Sequence, residues 1–150
     1  MSRLHPVLLG GAVVGVLDIT AAFALHGARG VHPQRILQSV AGGLLGPASF
    51  QGGWRTAALG LLLHFCIATM VVLVYWGVSR VWPLLRQRPL VTGPLYGVAV
   101  YVVMTYGVLP LSRAGGGRSG PRWLMAANIL IHMTCVGLPA ALVVARRPRT

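Results

Sequence analysis

The chain has 150 residues, of which 55% are apolar and only 9% charged, far below the roughly 25% of an ordinary soluble domain. That balance excludes a disordered tail, a collagen and a typical soluble enzyme, and leaves room in a single domain for about four membrane crossings of about 20 residues each. The formal charge of +12 comes from 13 arginines against a single acid, Asp18. These arginines form no continuous stripe of the kind that tracks nucleic acid. They sit in small groups between apolar runs, so the expected partner is an anionic lipid bilayer, with no nucleic acid.

In chain order, the first span is expected at about 6–28. It follows Arg3 and His5 and could pass for a signal peptide, with Ala22-Phe23-Ala24 as the cleavage site. Asp18 opposes that reading, because a carboxylate in the apolar region works against a signal, so the segment is expected to stay as a span. Residues 31–53 do not read as a span. Pro33 suits a first helical position, and Ile36, Leu37, Val40, Leu44 and Leu45 recur on one side, with Gln34, Arg35, Gln38 and Ser39 largely on the other. Gly42, Gly43, Gly46 and Pro47 end the run. The pattern predicts an amphipathic helix over about 33–45, interfacial or re-entrant.

The second span is expected at about 56–79, between Arg55 and Arg80, with Trp76 and Trp82 where an aromatic belt would place them. The third is expected at about 90–111, its end loosened by Pro110. Residues 112–121 read as a Gly- and Arg-rich loop. The fourth span is expected at about 123–145, kinked at Pro139, and 146–150 as a basic tail. The fold class is therefore all-α: an integral membrane four-helix bundle with one interfacial or re-entrant helix in the first loop. Cys66 and Cys135, too few for a disulfide framework, are expected as small core residues.

An internal repeat is one reading of two matches that keep their order. Gly11-Ala12-Val13-Val14-Gly15-Val16 parallels Gly93-Pro94-Leu95-Tyr96-Gly97-Val98, and Leu62-Leu63-His64 parallels Leu130-Ile131-His132. A duplicated helical hairpin would produce both, as would coincidence.

The stretches Ile36-Leu37-Gln38, Gly43-Leu44-Leu45-Gly46, Leu63-His64-Phe65, Tyr96-Gly97 and Leu109-Pro110-Leu111-Ser112 resemble a group of small bacterial inner-membrane proteins, similar to the YagU-like family. The resemblance covers most of the chain through short apolar motifs. It implies four helices in a bacterial inner membrane and carries over no catalytic residue.

Familiar catalytic patterns are missing from the sequence. Gly115-Gly116-Gly117 lacks the ending of a phosphate-binding loop. One acid cannot make a carboxylate pair, and Ser112 and His132 share no hydrolase signature. No catalytic residue and no cofactor is assigned. The informative residues are Asp18, His64, Tyr101, Asn128 and His132. Ionisable side chains inside a span cost about 2.5–3.5 kcal/mol, so they usually face a bundle interior or wet cavity. Counting from the span ends at 1.5 Å per residue puts Asp18, His64, Tyr101 and His132 each roughly 14–15 Å from one membrane face. Each also shares a helix stripe with small or polar residues: Gly11 and Gly15 with Asp18, Ala57 and Gly60 with His64, Gly93 and Gly97 with Tyr101, and Asn128 with His132. Such stripes let helices approach closely.

The layer reads either as interhelical hydrogen-bonding glue or as a proton relay. The corresponding functions are proton-linked transport or acid response, and a non-catalytic partner subunit of a larger complex or homo-oligomer. A haem-binding electron carrier is a further alternative, because His64 and His132 at one depth could ligate iron axially. His64 with Cys66, and His132 with Cys135, could also hold a soft metal. Seven arginines fall on the side of the termini and six on the other. With the compact 80–88 loop and the basic tail, this places both termini in the cytoplasm. Reporter fusions at Gly116 and Thr150 are expected to report opposite sides, and a periplasmic signal from Thr150 would reverse the orientation.

Overall fold

The computed structural model describes residues 5–115 and 120–146. Arg3, Arg118, Arg147 and Arg149 of the expected arginine groups lie outside the described residues. Four helices are long and apolar enough to cross a membrane, the make-up of a multi-pass membrane protein. They are α1 (His5–Gly27), α3 (Gly53–Val81), α5 (Pro89–Leu111) and α6 (Arg122–Ala145). Between α1 and α3 lie α2 (Pro33–Leu45) and a 3₁₀ turn, Gly46–Gln51. A single turn, α4 (Leu84–Gln87), joins α3 to α5. Among the described residues there is no strand. Span boundaries fall within three residues of the sequence expectation, the largest difference being the start of α3 at Gly53 instead of Thr56.

Two of the long helices are interrupted at prolines. Val103–Val108 in α5 and His132–Gly137 in α6 are π-helical, with Leu109 N–H donating to Met104 O and Leu138 N–H to Met133 O, five residues back. Pro110 and Pro139 follow immediately. A proline has no N–H and crowds the carbonyl four residues before it, and a widened turn relieves both problems. The same local sequence, Met-Thr followed by Leu-Pro, surrounds both: Met104-Thr105 with Leu109-Pro110, and Met133-Thr134 with Leu138-Pro139. The expected loosening at Pro110 and kink at Pro139 thus take the form of π turns.

Packing relies on close backbone approach more than on large side chains. One cluster joins α1, α3 and α6 through Val14, Ala68, Val72, Tyr75, Val136, Ala140, Ala141 and Val144. A smaller one joins Ile19, Leu37 and Ala57 across α1, α2 and α3, with Phe23 against it. At Gly60 a Cβ would collide with the carbonyl of Leu37, and at Gly97 with the carbonyl of His132. In α5 only Gly93 and Gly97 are buried. Large apolar side chains such as Leu8, Leu62, Leu90 and Leu95 face outward, as a bilayer would require.

The helix α2 differs from expectation in which face it buries. Ile36, Leu37, Gln38, Ala41 and Gly42 pack inward, while Leu44 and Leu45 are exposed. The polar Gln38 is 3% exposed because its Nε2 donates to Gly53 O at 3.0 Å and to Thr56 Oγ1 at 3.3 Å. A side-chain amide with partners can be buried at little cost, so the apolar pattern alone misplaces this face. Leu37 sits at the level of Ile19 and Gly60, about seven residues or ~10 Å into α3. The helix is therefore seated beside the spans, not beyond their ends. Its end packs on the loop that follows α5: Arg113 N–H donates to Gly43 O at 3.0 Å. The cysteine expectation is also corrected, since Cys66 is exposed and Cys135 only half-buried, and neither belongs to the buried clusters.

A single methyl group separates two glycines. Gly60→Ala forces a Cβ into backbone, which cannot rotate away, and is expected to cost about 1–3 kcal/mol. At Gly77 nothing lies within 4 Å of the added Cβ, so Gly77→Ala should gain up to about 1 kcal/mol from helix propensity. Thermal unfolding in detergent micelles should show opposite shifts.

Candidate functional site: the Asp18–His64 pair

The contact between α1 and α3 places the only acid of the chain beside a histidine. Gly15 has no side chain, so α3 approaches until Phe65 lies where a Cβ would stand. That approach brings His64 Nε2 to 2.9 Å from the Gly15 carbonyl oxygen. One turn further along α1, Asp18 Oδ2 lies 4.0 Å from His64 Nδ1. The two side chains are 23% and 12% exposed, respectively, so the pair is largely withdrawn into the helix contact.

This geometry dictates proton positions. A carbonyl oxygen can only accept, so His64 Nε2 carries a hydrogen and donates to Gly15. In a neutral imidazole Nδ1 then presents its lone pair to the Asp18 carboxylate. Two lone pairs face each other unless one further proton is present. That proton can sit on Nδ1, giving an imidazolium beside a carboxylate, or on Asp18, giving a neutral acid beside a neutral ring. The two forms differ only in where one proton lies.

The remaining layer residues form a separate group. His132 Nδ1 lies 2.8 Å from Asn128 O one turn back, and so donates to it. The rings of Tyr101 and His132 meet edge to face, with centroids 5.4 Å apart. Asn128 Nδ2 donates to Leu124 O at 2.9 Å, so its side chain is turned back along its own helix. Among the described residues no hydrogen bond or ion pair links this group to Asp18. The depth argument thus brings four helices to one level, but the side chains meet in two pairs, Asp18 with His64 and Tyr101 with His132.

The two pairs share a common plan. In each, a Gly-xxx-Gly helix lies directly on a histidine helix. A Cβ at Gly15 would meet Phe65, and one at Gly97 would meet Met133, in each case the residue after the histidine. A Cβ at Gly11 would meet Thr69, and one at Gly93 the carbonyl of Gly137, in each case five residues after it. The repeat read in the sequence therefore has a counterpart in the contacts. The halves differ at the chemistry: one carries a carboxylate beside its histidine, the other a phenol.

Sequence reasoning missed a further polar set. Tyr75, fully buried, lies 2.9 Å from Thr92 Oγ1 and donates to Leu85 O at 2.9 Å. Tyr96 donates to Val71 O at 2.7 Å. These hydroxyls tie α3 to α4 and α5 where few apolar contacts do. Their only signal was a pair of tyrosines within apolar runs, which also suits an aromatic belt. Among the described residues no three His, Cys, Asp or Glu side chains converge as metal ligands would. Cys66, two positions from His64, points off the other side of the helix. His64 Nε2 is engaged by the Gly15 carbonyl, and Nδ1 faces Asp18, not His132. The chain matches no family model, no curated protein and no solved structure.

Double-mutant cycles test the pairing. Asp18→Ala with His64→Ala is expected to show a coupling of about 0.5–3 kcal/mol, because each side chain answers to the other. Asp18→Ala with His132→Ala should be additive within about 0.5 kcal/mol. Unfolding in mild detergent measures both, and equal coupling in the two cycles would contradict the separation.

Proposed function

We propose that the protein is a small bacterial inner-membrane protein in which the Asp18–His64 pair exchanges a proton inside the bundle, in the service of proton-linked transport or an acid response. One observation carries the reading: the Gly15 carbonyl holds the Nε2–H of His64, so that Nδ1 faces Asp18 at 4.0 Å with room for one exchangeable proton. A purely structural hydrogen bond needs no titratable partner; Asn or Thr would serve. An aspartate within a span is costly, and here it faces the one ring atom that can take up or release a proton. The bacterial inner membrane, cytoplasmic termini and likeness to the YagU-like family are proposed with it, on the arginine-flanked spans and the short motifs. The bilayer's anionic lipids are its proposed surroundings.

A second reading is a non-catalytic subunit of a larger membrane complex or a homo-oligomer. It is favoured by α5, which buries little besides two glycines and presents Leu95, Val103 and Tyr106 outward. On this reading Asp18 and His64 fix helix register.

Infrared difference spectroscopy between acidic and neutral buffer separates the readings. Asp18 is the only side-chain carboxyl in the chain, so its protonated C=O band is unambiguous. A pH-dependent band that vanishes in Asp18→Asn, together with proton uptake into proteoliposomes that vanishes in the same variant, is expected. Asn can donate from its amide to Nδ1 of a neutral His64, so the fold should persist and circular dichroism should be unchanged. A wild-type protein with neither a pH-dependent carboxyl band nor proton uptake would leave only the structural role.

A further inference from the structure

A cavity of about 610 Å³ opens where α1 ends and α2 begins, remote from the Asp18–His64 pair. We infer that it binds the phosphodiester headgroup of an anionic glycerophospholipid, held by Arg35, His32 and His26 over an apolar wall of Ile36 and Phe50. The inference does not depend on the proton-exchange reading, because no residue is shared.

The one fixed cation lining this cavity, Arg35, has no carboxylate to answer it. The one acid of the chain lies eight residues before His26, about 12 Å up the same helix, and is engaged by His64. The Arg35 guanidinium rests 5.3 Å from the centroid of the Phe50 ring. The ring holds the guanidinium at the cavity while leaving its N–H donors unpaired, for among the described residues it makes no hydrogen bond. A preorganised planar fork of this kind matches the oxygens of a phosphate. His32 adds a donor. Its Nδ1 accepts from Gln34 N–H at 3.4 Å, which puts the ring hydrogen on Nε2. The negative charge that completes the site must come from outside the protein.

The apolar wall argues for a lipid over a free anion. Ile36 is buried, and Phe50 has one face under Arg35 and the rest of the ring toward the cavity. A phosphate seated on Arg35 leaves its glycerol and acyl portion along these two side chains. The position is also right, since the cavity spans the last turn of one membrane-length helix and the first turn of the re-entrant one. The headgroup is anionic and not zwitterionic: a choline or ethanolamine cation would need an acid or an open aromatic face. The cavity has no acid, and the face of Phe50 is already taken by Arg35.

The test uses the full chain purified in neutral detergent, with phosphatidylglycerol, phosphatidylcholine and inorganic phosphate as separate probes. Native mass spectrometry is expected to show one phosphatidylglycerol retained in preference to phosphatidylcholine. Arg35→Gln should weaken that retention about tenfold or more, the loss expected for a charged hydrogen bond. Arg35→Lys, which keeps the charge but loses the fork, should recover only part of it. Arg35 is exposed, so the fold should survive, and Arg88→Gln on another loop serves as the control. Equal retention of the two lipids, an equal effect of Arg88→Gln, or a thermal shift by inorganic phosphate matching that of phosphatidylglycerol would each overturn the assignment; the last would make the cavity a free-phosphate site.

Discussion

The structure depends on close helix approach at glycine. In lipid, apolar side chains gain nothing by leaving the bilayer for one another's company, so helices that span it must associate through close contact and buried polar bonds. This chain does so at three crossings. Gly60 admits the Leu37 carbonyl, Gly15 admits Phe65, and Gly97 admits the backbone at His132. Remove the approach at Gly15, and the His64 Nε2 to Gly15 carbonyl bond is lost with it. Packing and chemistry are the same contact, because a histidine can reach a helix carbonyl of its neighbour only where that helix has no side chain in the way.

A second constraint is the charge imbalance. Thirteen cationic side chains cannot be neutralised by one acid, so the arginines take other partners. Arg29 lies over Trp123, Arg35 over Phe50 and Arg80 over Trp76, at 5.7, 5.3 and 5.1 Å from the ring centroids. Arg86 Nε donates to Ser79 Oγ at 3.1 Å. Each arrangement positions a guanidinium near a helix end without cancelling its charge. The molecule therefore keeps its positive charge at the ends of its helices, where phosphate headgroups lie when such helices span a bilayer. Without such counter-charges the same net charge would mainly repel itself.

Composition and apolar run length were enough to read the four long helices, because a span is a statement about some 20 consecutive residues and tolerates local exceptions. Faces were harder. The apolar stripe of α2 pointed to Leu44 and Leu45, yet Gln38 is the buried residue, since Gly53 O and Thr56 Oγ1 satisfy its amide. No local pattern announces a partner 15 and 18 residues away. Depth was legible from counting along each helix, but helix rotation was not, which is why one layer of five residues resolves into two pairs. Cys66 shows the same limit: an apolar run surrounds it, but a run has no inside in a bilayer, where both faces are apolar. The π turns were legible in principle, from the shared Met-Thr and Leu-Pro that precede and include each proline, but that match was not the one the repeat was read from.

The two hairpins make the chemical asymmetry informative. Gly15 with His64 and Gly97 with His132 occupy matching places, down to the neighbours that a Cβ would strike. Where the first half puts a carboxylate three residues after its glycine, the second puts Val100, followed by Tyr101. His132 turns its Nδ1 to its own helix at Asn128, whereas His64 spends its Nε2 on the neighbouring helix. A shared packing plan therefore does not require an acid at this level, because the second half is built without one. The carboxylate at Asp18 has no counterpart in the second half, and it lies 4.0 Å from Nδ1 of His64. An acid that the matching contact is built without, and that a bilayer would penalise, is what the proposed proton exchange would account for.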